Sequence, residues 1–228
     1  MPTALITGAS RGLGLATARV LARRGWSLVL DARGGRELVS ATADLGAAVL
    51  PGDVSDPDHR AALVTAVARL GGLDLLLNNA SLLGPSPQPA LRDYPLDVLR
   101  RVYEVDVIAP LALVQALLPE LRRRSGVVVN VSSDAAAEAY EGWGGYGSAK
   151  AALDHLSAVL AVEEPDLRVH AFDPGDMRTQ LHQQAFPGED ISDRPEPETV
   201  VPALLRLLDH RLPSGRHRAA DLLSAQTR

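Results

Sequence analysis

The chain of 228 residues has no cysteine, which excludes disulfides, thiol catalysis and any zinc site built on cysteine. Aromatic residues are scarce, at 4% against a hydrophobic content of 46%. A core large enough for one domain must therefore be built from Ala, Val and Leu. Lysine is almost missing: beside 22 arginines stands a single lysine, Lys150. Excess positive charge is missing too. The formal net charge is -5, so neither nucleic acid nor an anionic membrane is an expected partner. No run reaches the ~18 apolar residues of a membrane span. The most apolar helical stretch, 105–118, is interrupted by Asp106, Pro110 and Gln115. MPTALITGAS has no basic leader ahead of a long apolar segment, so no secretory signal is expected and the cytoplasm is the expected compartment.

What is present is an alternation of short apolar runs with helical patterns, the signature of βαβ units around a parallel sheet. Strands are expected at 4–6, 27–30, 47–50, 73–77, 127–131 and 167–172, with a last short one at 218–223. Helices are expected at 12–24, from Asp56-Pro57 to Leu70, and at 96–124, 146–163 and 200–208. Asp56 is a suitable N-cap and Pro57 a suitable first-turn residue, and Pro110 should kink the long helix. Arg122, Arg123 and Arg124 suit the negative end of that helix as solvated charges. The segment 180–198, acidic and broken by three prolines, departs from the pattern and is expected to act as a lid. One domain over 1–228, an α/β doubly wound parallel sheet of about seven strands with helices on both faces, places ligands at the carboxyl ends of the strands.

Three motifs fall at those ends. Thr7-Gly8-Ala9-Ser10-Arg11-Gly12-Leu13-Gly14 joins a strand to a helix. Glycines there let the backbone turn and approach a pyrophosphate lying on the helix N-terminus. A tight turn without a ligand is the plainer alternative, less favoured in that context. Asn78-Asn79-Ala80 ends the fourth strand, and asparagines in such a place are ordinarily turn residues. Tyr146 and Lys150 share one helix face at i and i+4. A nearby ammonium stabilises tyrosinate and lowers the Tyr pKa towards working pH, so Tyr146 can exchange a proton with a substrate oxygen. A surface pair is the bland reading. Against it, a chain that uses arginine at every other basic position keeps lysine here, for something a guanidinium cannot do.

TGASRGLG, NNA, VVVNVSS, YGSAK and DPGDMRT, in this order, resemble the motifs of the short-chain dehydrogenase/reductase family, and the match runs from about Thr3 to Thr179. The resemblance implies a Rossmann-like fold and hydride transfer between a nicotinamide cofactor and a small-molecule carbonyl or secondary alcohol. It also implies roles by position. Tyr146 is the acid/base, Ser133, thirteen residues before it, the hydrogen-bond partner of the substrate carbonyl, and Lys150 the holder of the nicotinamide ribose. Gly8, Ser10, Arg11, Gly12, Leu13 and Gly14 form the phosphate loop. Asp53 and Val54 contact the adenine, while Asn79 and Ala80 lie beside the cofactor. Pro174, Gly175 and Thr179 cover the nicotinamide amide. Two positions depart from the family: Ser81 follows NNA where glycine is usual, and Asp106 stands where asparagine is usual, among the catalytic set. A buried carboxylate there is costly unless paired.

The end of the second strand reads Leu30-Asp31-Ala32-Arg33. An acid here takes the ribose 2′-hydroxyl of NAD(H), and a cation takes the 2′-phosphate of NADP(H). The family's usual acid position falls on Ala32, and Arg33 with Arg11 favours NADP(H), while Asp31 argues for NAD(H). The substrate pocket is expected from 135–145, with Tyr140 and Trp143, and from 180–195. Glu189, Asp190, Asp193 and Glu196 would repel anions unless they are merely solvated. Resemblance to the family's association helices implies a homodimer or homotetramer, with Leu111, Leu153, Leu156 and Leu160 available for contact. A non-redox enzyme on the same fold (a dehydratase, cyclase or epimerase) and a non-catalytic cofactor sensor remain as alternatives.

Overall fold

The computed structural model describes residues 1–224 of the chain. Seven parallel strands form one sheet: β1 (Thr3–Ile6), β2 (Ser27–Ala32), β3 (Ala48–Pro51), β4 (Leu75–Asn78), β5 (Val127–Val131), β6 (Arg168–Asp173) and β7 (Gly215–Arg218). Their spatial order is β3-β2-β1-β4-β5-β6-β7. The chain moves outward from β1 to β3, then returns to the other side of β1 with β4. That reversal leaves a crevice at the carboxyl ends of β1 and β4, where a doubly wound sheet binds ligands.

Because successive strand residues point to opposite faces, short apolar runs supply two cores. Ala4, Ile6, Leu28, Leu30, Leu75, Leu77, Val127 and Val129 face helix α1 (Gly12–Arg23) and helix α8 (Pro197–Asp209). Leu5, Val29, Leu76, Val128 and Val169 face the opposite layer of α3 (Pro57–Arg69) and α5 (Ala109–Arg124). Each fully buried Leu or Val in these layers stabilises by about 2 kcal/mol relative to exposure. The Asp56 side chain accepts from the Asp58 amide at 2.9 Å and caps α3, with Pro57 in its first turn. The remaining α-helices are α2 (Gly35–Ala41), α4 (Leu96–Tyr103), α6 (Gly144–Glu163), α7 (Gln180–Ala185) and α9 (Ala219–Ser224).

Several expectations are corrected. The irregularity in the long helix is a π-helical turn over Glu104–Ile108, between α4 and α5, and Pro110 sits in the first turn of α5 rather than at a bend. The wider turn fits the missing proline donor, since the Ala109 amide bonds back to the Glu104 carbonyl. The final strand lies at Gly215–Arg218, not 218–223, which is mostly α9. As an edge strand of GRHR it has no apolar signature, and only pairing with β6 defines it. Helix α2 was not foreseen because Leu38 is its one buried residue.

The stretch Leu96–Arg124 is by length and composition able to cross a membrane, but Leu113, Val114, Leu117 and Leu121 are buried against the sheet. Its arginine end is exposed and paired, Arg122 with Glu164 at 2.6 Å and Arg123 with Glu120 at 3.1 Å.

Candidate active site

The glycine loop between β1 and α1 is shaped by close approach. Gly8 adopts a left-handed φ of 67°, and a Cβ there would lie 2.9 Å from the Ala80 Cα. At Gly14 a Cβ would meet the Asn79 Nδ2 at 2.5 Å and the Gly8 carbonyl oxygen at 2.7 Å. Asn79 clamps the loop: its Nδ2 donates to the carbonyls of Thr7 (2.9 Å) and Gly8 (3.1 Å). The Thr7 hydroxyl in turn accepts from the amides of Asn79 and Ala80, each at 3.0 Å. Asn79 is therefore a brace between two strand ends rather than a turn residue. Asn78 is no turn residue either. Buried in β4, it donates to Asn130, which donates to Ser157 across β5 and α6, both at 2.8 Å.

No side chain caps the N-terminus of α1, so the amides of its first turn are left open for an anion. Gly8, Ser10, Arg11, Gly12, Leu13, Arg33, Asp53, Val54, Asn79, Ala80, Ser133, Tyr146, Lys150, Pro174, Gly175 and Thr179 all line one cleft of about 420 Å³. Of the residues expected at the site, only Gly14 and Asp106 lie behind its wall. Among the described residues, Arg11 and Arg33 form no ion pair and face this cleft. Asp31 also lines the cleft, but it is buried and its Oδ1 meets His59 Nε2 at 2.6 Å. Burial pushes its carboxyl up to about 6 against the opposing pull of His59. Asp53 is paired with Arg101 and holds Ser55, which keeps its carboxyl below the usual range despite some burial.

The deep end of the cleft carries the titratable cluster. Lys150 is 2% exposed, and its Nζ donates to the Val131 carbonyl at 2.9 Å. It lies 3.6 Å from the Asp106 carboxylate and 5.4 Å from the centre of the Tyr146 ring. Asp106, fully buried, also accepts from the Ser81 hydroxyl (2.8 Å) and the Leu82 amide (2.7 Å). The two departures from the family motifs thus touch each other, and Asp106 is paired rather than stranded. Burial raises the Asp106 pKa, with Lys150 opposing, while Lys150 is raised because Tyr146 and Asp106 outweigh its own desolvation. Tyr146 departs from expectation. Its pKa is raised, not lowered, because burial dominates and Asp106 adds to it, outweighing the pull of Lys150.

Ser133, at the end of β5, has its hydroxyl turned to Asp134 (2.9 Å) and its carbonyl held by Arg216 (2.9 Å). Arg216 also reaches Asp154 and Asp173, each at 3.0 Å. Neither Asp134 nor Arg216 was foreseen. Arg216 lies 83 residues from Ser133 in sequence, and no local pattern joins them.

The expected substrate region is narrower than 135–145. Trp143 lines the cleft, whereas Tyr140 is exposed and bonds Asp134 and Glu138, which push its pKa up to about 12. From 180–195 the cleft takes Gln180, Leu181, His182, Gln184 and Ala185. The acids lie away from it, with Asp193 paired to Arg194 and Glu196 to Arg178.

A family model described as short chain dehydrogenase matches residues 2–190. Serine 3-dehydrogenase of Agrobacterium fabrum is 36% identical over 187 residues, covering 78% of this chain and 73% of that protein. Cis-4-hydroxycyclohexanecarboxylate dehydrogenase of Sinomonas cyclohexanicum is 37% identical over 186 residues, with coverages of 78% and 74%. Among solved structures, a short chain dehydrogenase from Shigella flexneri complexed with NADP superposes with a TM-score of 0.90 at 29% identity, over 96% of this chain and 97% of that one.

Proposed function

Since the chain belongs to the short-chain dehydrogenase family and is an oxidoreductase, we propose that it uses NADP(H) to interconvert a carbonyl and a secondary alcohol of a small molecule. The observation that carries this reading is the buried Tyr146–Lys150 pair at the floor of a cleft whose other end is an uncapped helix N-terminus. Support for the cofactor choice is electrostatic. Among the described residues Arg11 and Arg33 form no ion pair and face the cleft, while the Asp31 carboxylate, which also lines it, is held by His59 through Oδ1. The Shigella flexneri relative was solved with NADP. The residues fit such a group: the open amides of α1 and Gly8, Gly12 and Arg11 would hold the pyrophosphate. Arg33 would hold the 2′-phosphate, Asp53 and Val54 the adenine, and Lys150 the nicotinamide ribose. Pro174, Gly175 and Thr179 would hold the carboxamide. When bound, the cofactor supplies or accepts the hydride.

Tyr146 gives a proton to the carbonyl oxygen in reduction and takes it back in oxidation. Ser133 orients the same oxygen, Trp143 and Leu181 exclude water, and residues 180–198 act as the lid. The two dehydrogenases reported above are named for hydroxylated acids, and an alcohol of that kind is the substrate class to try first. A cytoplasmic site belongs to the same proposal, because the enzyme works where the dinucleotide pool lies.

Titration with NADPH and NADH, monitored by cofactor fluorescence, tests the reading. NADPH is expected to bind more tightly in the wild type, and Arg11→Ala with Arg33→Ala to abolish the preference, since charge-assisted contacts to phosphate are the strong ones. Tyr146→Phe should bind NADPH as before and lose turnover by about a hundredfold or more. Tighter NADH binding by the wild type, or near-normal kcat in Tyr146→Phe, contradicts it.

A further inference from the structure

Arg216, on the edge strand β7, holds three groups from three different elements. Its Nη2 donates to the Ser133 carbonyl at 2.9 Å and to Asp173 Oδ2 at 3.0 Å, and its Nε donates to Asp154 Oδ2 at 3.0 Å. Ser133 follows β5, Asp173 ends β6, and Asp154 lies on α6 one turn after Lys150. Parallel pairing with β6 sets Arg216 opposite Ala171, and from there its side chain reaches the carboxyl ends of β5 and β6. A backbone bond from the Ser132 amide to the Phe172 carbonyl, at 2.8 Å, joins those strands just before this point. Beyond it the guanidinium bridges them.

The two ends so joined carry residues of both halves of the site. Asp173 Oδ1 accepts from the Gly175 amide at 3.0 Å, so one carboxylate ties Arg216 to the Pro174–Gly175 turn, where Gly175 takes a left-handed φ of 71°. At the other end the Ser133 hydroxyl accepts from the Ala135 amide at 3.2 Å and donates to Asp134 at 2.9 Å. With its carbonyl taken by Arg216, Ser133 is held on both sides. We propose that Arg216 is a positioning residue, the guanidinium that fixes the spacing between Ser133 and the Asp173–Gly175 turn. That spacing sets how the substrate oxygen meets the nicotinamide. The proposal rests on the reading of Ser133 as the partner of the substrate oxygen and of Pro174 and Gly175 as the seat of the carboxamide.

The acceptors call for a guanidinium in particular. Asp173 is buried and the Asp154 side chain largely so, and carboxylates so placed are costly without a paired cation. A planar fork meets acceptors in fixed directions with two nitrogens, whereas an ammonium has one. A misplacement of about 1 Å at an active site costs about a hundredfold in rate. A bridge that sets this spacing therefore bears on turnover without touching substrate.

The first measurement needs neither substrate nor cofactor. Amide hydrogen exchange is followed in the full chain and in Arg216→Ala, and segments 133–136 and 173–177 are expected to exchange about tenfold faster in the variant, while β4 keeps its wild-type rates. The second separates positioning from general support. NADPH and adenosine 2′,5′-bisphosphate, which keeps the adenine and 2′-phosphate but has no nicotinamide, are titrated into both proteins. NADPH should bind about tenfold more weakly to Arg216→Ala, and the bisphosphate as before. Millimolar guanidinium, compared with sodium at equal ionic strength, should restore NADPH binding, since 31% of the Arg216 side chain is exposed and the site admits the ion. Arg216→Lys should stay close to Arg216→Ala. Should Arg216→Ala not fold, Asp173→Asn carries the test: it can keep an oxygen towards the Gly175 amide and sets an NH2 against the guanidinium, and the same selective loss of NADPH is expected. Unchanged exchange in both segments, equal losses for the two ligands, or wild-type behaviour of Arg216→Lys overturns the proposal. If the wild type itself fails to bind NADPH, or Tyr146→Phe retains turnover, the proposed function fails instead, and the exchange rates still judge the bridge.

Discussion

Lys150 carries the sharpest demand on residue type in this chain. Its ammonium fits a space bounded by the Val131 carbonyl and Asp106, with 2% of the residue exposed. A guanidinium is planar and larger, with donors spread in one plane, and has no room there. Lys150→Arg is expected to cut kcat/KM by about tenfold or more although charge is retained, and to move the alkaline limb of the pH–rate profile upward. A loss under about threefold with an unmoved profile would reduce Lys150 to a mere counter-charge. Position 150 stood out in the sequence because it is the only lysine, yet the direction of the Tyr146 shift did not follow. Charge proximity is visible at i and i+4, whereas desolvation depends on the many distant residues that close over the phenol.

Among the elements, the β1–α1 loop is the one most tightly specified. Its fit relies on the missing side chain at Gly14, where a Cβ would press on Asn79 and on the Gly8 carbonyl. Gly14→Ala should displace the Asn79 clamp, lower stability by about 1–3 kcal/mol in urea unfolding, and weaken NADPH binding in the same preparation. Unchanged stability and affinity would mean that the clamp yields freely. The strand-loop-helix pattern was legible because glycine spacing and apolar periodicity are local. The π-helical turn was not, since Pro110 announces a disturbance but not where the backbone absorbs it. Strand β7 was misplaced for a related reason: an edge strand without apolar alternation is defined by its partner, β6.

Across the whole molecule, pH acts through groups buried in the sheet. His170 on β6 is fully buried, and among the described residues neither ring nitrogen has a partner. Burial first, then the charges of His217 and Arg168, lower its pKa to about 4 from 6.5. The unfolded chain therefore binds more protons between those values. Stability from keeping His170 neutral is complete above pH 6.5 and is lost as pH falls towards 4, by about 3 kcal/mol in all. Asp31 acts with the opposite sign: its folded pKa of about 6 exceeds the ordinary 3.8 of an aspartate, so its contribution falls as pH rises through that window. His170→Leu should leave stability at pH 7 equal or higher, since an unpaired polar group is replaced by an apolar one, and its advantage over wild type should grow towards pH 4. Denaturant curves at several pH values decide it, and a constant difference would contradict the account. We also propose a homo-oligomer. Leu153 is buried and cannot serve as a contact, but Val159 and Val162 on α6 and Ile108 are exposed. Light scattering giving the monomer mass of 24.2 kDa at micromolar concentration would exclude it.

The sequence by itself determined the parallel α/β sheet, the order of its strands along the chain and the glycine loop, all through periodicities and spacings that operate over a few residues. The Ser133, Tyr146 and Lys150 set is what resemblance to the family's motifs implies. Tertiary structure alone decided which carboxylates count. It paired Asp31 with His59, brought Ser81 against Asp106, and set Arg216 of β7 on the backbone of Ser133. Those partners are 28, 25 and 83 residues apart. Their meeting depends on the lateral order of the strands and on which groups lose water, and neither is a property of any local stretch of chain.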